Sequence, residues 1–216
     1  TSERERSRQS FAAARDGVPD TVELPAHDNG ASWRDLEITH LPIVMDDNVT
    51  GVFGVARDIT ERKRHERELH LLHRAVENSV NGVFIVDAAQ SHMPVIYSNA
   101  TFLQLTGYPR EEMIGRNFLQ IRGPETSDDA VNQVQQAVSQ GSDVQVPLLS
   151  YRRDGTSFWS ELFVSRISDD SNNKHFVGVL HDISAQKEYE ARLAYYASHD
   201  LLTGLPSAVA DELAAD

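Results

Sequence analysis

Gly178-Val179-Leu180-His181-Asp182-Ile183-Ser184 has an earlier counterpart in Gly54-Val55-Ala56-Arg57-Asp58-Ile59-Thr60, in which Asp58 stands 124 positions before Asp182. The likeness continues through Lys63 and Lys187, Glu66 and Glu190, and Leu69 and Leu193. Upstream, after a two-residue slip, Trp33-Arg34-Asp35-Leu36-Glu37-Ile38-Thr39 resembles Trp159-Ser160-Glu161-Leu162-Phe163-Val164-Ser165. Two copies of one module are therefore expected. Residues 1–60 match only the closing part of the second copy, so the front of the first copy is expected before Thr1.

Working outward from Asp182, residues 174–181 and 157–167 alternate with period two and are rich in β-branched and aromatic side chains. The turn-rich Ser168-Asp169-Asp170-Ser171-Asn172-Asn173 between them predicts a hairpin. Residues 143–152 predict a strand before them, closed by the turn pair Asp154-Gly155. Residues 82–87 and 94–98 add two more, giving five strands. Short helices are predicted over 100–106, 109–113 and 127–140, the second opened by Pro109 ahead of two Glu. Strands, then helices, then strands make an α+β fold with a five-stranded antiparallel sheet and short helices on one face. Charged helical stretches follow each Asp-Ile-Thr or Asp-Ile-Ser, over 61–76 and 185–198, and predict connector helices with a half-apolar seam.

Composition narrows the function. The 216 residues carry 20 Lys+Arg and 33 Asp+Glu, a net charge of −13, and no Cys. No thiolate nucleophile, disulfide or Cys-held metal is possible. The acidic balance predicts no nucleic-acid groove and no anionic membrane contact, both of which need Lys and Arg in excess. No apolar run reaches the roughly 20 residues of a spanning helix, and a cytoplasmic location is expected. Nothing resembles a catalytic constellation or a phosphate-cradling glycine loop, so no enzymatic activity is expected of this stretch. His92, His175, His181 and His199 read as surface or hydrogen-bonded side chains of strands and loops, and no metal is expected.

Val95-Ile96-Tyr97-Ser98-Asn99-Ala100-Thr101-Phe102, Leu105-Thr106-Gly107-Tyr108, Glu111-Glu112-Met113-Ile114-Gly115-Arg116-Asn117 and Asp182-Ile183-Ser184 resemble, in order, the motifs of the PAS sensory family. The resemblance covers a complete domain at 70–184 and a truncated one at 1–60. Gly115-Arg116-Asn117, Gly123-Pro124-Glu125-Thr126 and Tyr151-Arg152-Arg153-Asp154-Gly155 are closest to its LOV flavin photoreceptors. The resemblance also implies what is altered. Phe118 stands where those proteins have their adduct-forming Cys, Arg122 and Leu180 where they have Gln, and Ser150 and Ser160 where they have the two Asn that bond the flavin edge. Ser is too short to reach the atoms an amide reaches, and Leu offers no hydrogen bond. No preformed flavin site is expected; haem, which other PAS domains hold through a His on the helix that corresponds to 127–140, is not expected either, since that stretch contains no His, and no cofactor at all is expected. A ligand, if present, is expected near Phe84, Val86, Asn99, Phe102, Asn117 and Phe118, with Leu149, Ser150, Ser160, Leu162 and Leu180 on the sheet side. Signal output is assigned to Asp58, Ile59, Asp182 and Ile183, where each sheet gives way to its connector.

His199-Asp200-Leu201-Leu202-Thr203-Gly204-Leu205-Pro206 resembles the opening of the GGDEF domain of diguanylate cyclases, which places a truncated GGDEF start at 199–216. The resulting expectation is a PAS module of a bacterial signalling protein that relays through a connector helix to a cyclic dimeric GMP output domain in cis and dimerises through its PAS and connector elements. Two alternatives stand beside it: a cofactor-free dimerisation spacer, in which Phe118 and Leu180 fill the pocket, and a flavin- or haem-binding sensor.

Overall fold

One order of elements, helix, three strands, helix, occurs twice along the chain. The computed structural model describes residues 3–27, 33–167 and 174–198. They fall into two units that divide between Arg74 and Ala75. The predicted GGDEF start at 199–216 lies outside the described residues.

In the first unit, helix α1 (Glu3–Arg15) precedes strands β1 (Asp20–His27), β2 (Trp33–Met45) and β3 (Asn48–Asp58), which pair antiparallel in the order β1-β2-β3. Helix α2 (Thr60–Glu77) follows directly. Arg62 and Lys63 pair with Glu23 at 3.1 and 2.7 Å, and Arg67 pairs with Asp35 at 2.9 Å. One side of α2 is thereby held to β1 and β2 by charge rather than by apolar packing.

The second unit is built on strands β4 (Gly82–Asp87), β5 (Val95–Ser98), β6 (Val144–Tyr151), β7 (Ser157–Ile167) and β8 (His175–Asp182). They form one antiparallel sheet in the order β5-β4-β8-β7-β6. Between β5 and β6 lie helices α3 (Ala100–Thr106), α4 (Arg110–Met113) and α5 (Asp128–Gln140), with a 3-10 turn at Phe118–Ile121 that the sequence reading did not anticipate. The predicted α+β architecture is the one observed. Ser127 caps α5 through the Ala130 N–H, and Val131, Val134 and Val138 recur on one face of that helix and are buried. Along β6 and β7 every second residue is buried, which places Val146, Leu148, Phe158, Leu162 and Val164 in a common core with Phe84, Phe102, Phe118 and Leu180. Asp154 accepts from the Thr156 N–H at 2.9 Å, and Gly155 supplies the positive φ of the β6–β7 turn. Helix α6 (Ser184–Ser198) leaves the end of β8.

Pairing corrects the internal alignment. Asp182 lies opposite Ser160 and Asp58 opposite Leu36, so Leu36 corresponds to Ser160 and Asp35 to Trp159 with no slip. The two-residue slip taken from the Trp residues arose because a strand displaced by two still presents the same face, which makes that shift hard to see in sequence.

Gly178 sits against the Phe84 ring, and a Cβ at this position would fall within it, whereas at the equivalent Gly54 the nearest atom is the His40 ring at 3.9 Å. Phe84 is fully buried and cannot swing away. Gly178→Ala is accordingly expected to destabilise by about 1–3 kcal/mol or more in urea unfolding, and Gly54→Ala by a few tenths at most. Equal effects would contradict this packing.

Candidate functional site

The predicted ligand region lies between the inner face of the sheet and α3, α4 and the 3-10 turn, and its side chains touch one another. The Phe84 ring centroid is 4.7 Å from that of Phe102 and 5.0 Å from that of Phe118. Leu162 and Leu180 are cross-strand partners, both fully buried. The Ser150 and Ser160 hydroxyls share a hydrogen bond of 2.8 Å, and Ser160 also donates to the Leu148 carbonyl. Ser98 Oγ is buried with no hydrogen-bond partner among the described residues.

Three of the predicted residues act differently from a ligand wall. Leu149 lies on the outer face of β6 opposite Trp159, and Leu148 takes the inward place, because alternation sends even-numbered residues of this strand inward. The Asn117 side chain accepts from the Leu119 N–H at 2.8 Å and donates to the His92 carbonyl at 2.9 Å, so it caps the 3-10 turn. Asn99 uses its whole amide: Oδ1 accepts from the Val83 and Phe102 N–H groups, and Nδ2 donates to the Val76 and Asn81 carbonyls. It joins α2, β4 and α3. Among the other predicted positions, Arg122 is exposed, and His181 Nδ1 is 2.8 Å from Asn81 Oδ1. No group of three or more His, Asp or Glu is placed to hold a metal among the described residues.

The two sheet-to-helix junctions share one geometry. At the second, Asp182 Oδ1 accepts from the Ser184 N–H at 2.9 Å, Trp159 N–H donates to Ser184 Oγ at 3.0 Å, and Ile183 N–H donates to the Trp159 carbonyl at 2.9 Å. At the first, Asp58 Oδ1 accepts from the Thr60 N–H, Asp35 N–H donates to Thr60 Oγ1, and Ile59 N–H donates to the Asp35 carbonyl, each at 2.9 Å. Each Asp therefore satisfies a free N–H at the start of its helix and places negative charge at the positive end of the dipole. The buried Ile59 and Ile183 seat the turns.

Burial raises the Asp182 pKa, and the Ser184 hydroxyl and N–H together with Arg152 lower it by more, leaving it below its ordinary value of 3.8. The Thr60 hydroxyl and N–H and the Arg34 guanidinium hold Asp58 down at about 2. A depressed carboxyl pKa stabilises the fold above the unfolded value, and that contribution disappears as pH falls through the folded one. Helicity measured by circular dichroism is therefore expected to hold above pH 4 and to decline between 3.8 and about 2. Asp58→Asn should remove part of that decline, and an unchanged acid limb would contradict the assignment.

Residues 80–185 match the PAS domain family. A blue-light photoreceptor of Listeria monocytogenes is 36% identical over 120 residues, covering 56% of this chain and 47% of its own length. The bacterioopsin transcriptional activator of Halobacterium salinarum is 36% identical over 129 residues, 59% of this chain and 19% of its own. A solved light-oxygen-voltage domain, studied with a flavin analogue, is 34% identical with a TM-score of 0.51, covering 57% of this chain and 92% of that one. The chain belongs to the PAS domain family. It spans less than half the length of these two curated relatives of the PAS domain.

These relatives overturn the expectation that the PAS domain takes no cofactor. They include a blue-light photoreceptor and a light-oxygen-voltage domain studied with a flavin analogue, and the group they point to is flavin. The expectation rested on a few lost amides, but most of the contact surface in a small-molecule site is apolar, so those substitutions do not decide the matter. The arrangement of side chains in this structure does not itself fit the group. Phe84, Phe102 and Phe118 occupy the space between helices and sheet, and a cavity of about 600 Å3 lies elsewhere, along Met93, Gln135, Val138, Arg166, Lys174 and Phe176. No described helix is long and apolar enough to cross a membrane.

Proposed function

We propose that the PAS domain is the sensory and relay part of a bacterial signal-transduction protein and that its output is the α6 helix. The observation that supports this most is the junction at Asp182: the last strand, its neighbour β7 and the first turn of α6 are joined by three hydrogen bonds within three residues. A change in sheet twist or spacing would reach the helix there, whereas the helix body is exposed from Glu188 to Tyr196 and is biased by little else. In the photoreceptor relatives the input is blue light, which makes flavin the cofactor class to test; for it to enter, the Phe rings would have to move. The exposed Leu69, Leu72 and Val76 on α2 and Tyr189, Leu193 and Tyr196 on α6 recur at 3-4 spacing and suit pairing with a second copy. The three-stranded unit at 1–60, which repeats the closing elements of the PAS domain, is read as the end of a first PAS domain. A cyclic dimeric GMP synthesis domain as the output, and with it a cytoplasmic setting, rests on His199 to Pro206 alone.

Asp182→Ala in the full-length protein is expected to change signal output at least several-fold while the PAS domain still unfolds cooperatively. Unaltered output would overturn the relay assignment. A cyclic dimeric GMP assay of the same protein tests the output class separately.

A further inference from the structure

Helix α3 is tied to the incoming helix at one end and, through Arg152, to the carboxylate that caps the outgoing helix at the other. At its start, Glu77 in the last turn of α2 accepts from the Ala100 N–H at 3.1 Å and from the Tyr97 hydroxyl at 2.8 Å. Asn99, which caps α3, donates to the Val76 carbonyl at 2.9 Å, and Thr101 donates to the Ser79 carbonyl at 2.6 Å. At its end, the Leu105 carbonyl accepts from Nη1 of Arg152, and the Thr106 carbonyl accepts from the Arg153 N–H at 2.9 Å. Nη2 of the same Arg152 reaches Asp182 Oδ2 at 3.4 Å, while Asp182 Oδ1 caps α6. The guanidinium lies 4.3 Å over the Phe158 ring, which fixes its plane. One planar fork thus bridges the C-terminal end of α3 and the carboxylate that seats α6.

We propose that α3 with Arg152 couples the end of α2 to the start of α6, so that a displacement of the incoming helix alters the outgoing one without passing through the interior of the PAS domain. Arg152 is the positioning residue of this link. A helix of two turns is stiff along its axis, and its start is bonded to the end of α2 while its end is bonded to Arg152 and Arg153, so a shift at Glu77 moves the Leu105 carbonyl and the Arg152 fork with it. The proposal rests on reading α6 as the output element.

The test is a double-mutant cycle read by amide hydrogen exchange of the 216-residue protein. Glu77→Ala is expected to raise exchange in the peptide spanning 184–190 about threefold or more, and this rise is expected to vanish in the Arg152→Ala background. Arg152→Lys keeps the charge but cannot hold both acceptors, so it should uncouple the two ends as Ala does. If Arg152→Ala lowers the melting temperature too far, the cycle is run with Arg152→Lys. A Glu77 effect confined to α2 and α3, or one of equal size on α6 in both backgrounds, would overturn the coupling. Asp182→Ala disturbing α6 while Glu77→Ala does not would remove this link and leave the relay reading intact.

Discussion

Phe118→Ala is expected to destabilise the PAS domain by about 3–5 kcal/mol and, in the same molecule, to raise its uptake of flavin at least tenfold over the parent chain. The first effect follows from burial: Phe118 is 1% exposed and packs on the Phe84 ring, so truncation removes apolar contact and leaves a cavity that its neighbours can only partly close. The second follows from position. The ring occupies the space between sheet and helices, and its removal gives a planar apolar ligand room beside Phe84 and Leu180. Binding would return part of the lost stability, because a ligand that favours the folded state raises its population. Urea unfolding with and without flavin mononucleotide measures the first effect, and quenching of flavin fluorescence on titration measures the second. Phe118→Leu, which removes less volume, serves if the Ala variant does not fold. Flavin affinity unchanged in both variants would show that this ring does not control access.

Asn99→Ala is expected to cost about 3 kcal/mol or more, a large loss for a single amide. Asn99 is fully buried, and its removal strands the Val83 and Phe102 N–H groups and the Val76 and Asn81 carbonyls at once. Each buried polar group left without a partner costs about 1–3 kcal/mol, moderated where water can enter. Asn99→Asp separates the two halves of the role. It keeps the acceptor for Val83 and Phe102 and loses both donors, so it should retain the α3 cap while freeing the end of α2. Chemical denaturation measures the cost, and exchange at 74–79 measures the release. A loss below about 1 kcal/mol for the Ala variant would contradict the network.

Much of the fold was legible because its signals are local. Gly82–Asp87, Ala100–Thr106 and Ser157–Ile167 have the limits that alternation, capping and turn residues predict. Leu149 was misplaced by one position because β6 is apolar at both Leu148 and Leu149, so its alternation does not declare which side is inward until Trp159 is paired opposite. The role of Asn117 was hidden for another reason. A side chain that caps its own turn and one that faces a ligand have the same identity, and only the His92 carbonyl across the loop distinguishes them. Glu77 and Arg152 were not singled out. Their partners lie 20 to 23 and 30 to 47 positions away, and no spacing rule reaches that far. The cofactor expectation fails at the step from residues to ligand, because the loss of polar anchors does not exclude a group whose contacts are largely apolar.

The relay reading stands or falls at one carboxylate. Amide hydrogen exchange along 184–198 in the 216-residue protein, compared with its Asp182→Ala variant, tests it most directly. Losing the cap should raise exchange at the start of α6 about fivefold, in line with a helix cap contributing about 1 kcal/mol, while β7 and β8 keep their protection. Unchanged exchange in α6, or a rise shared equally by the whole sheet, would contradict the account.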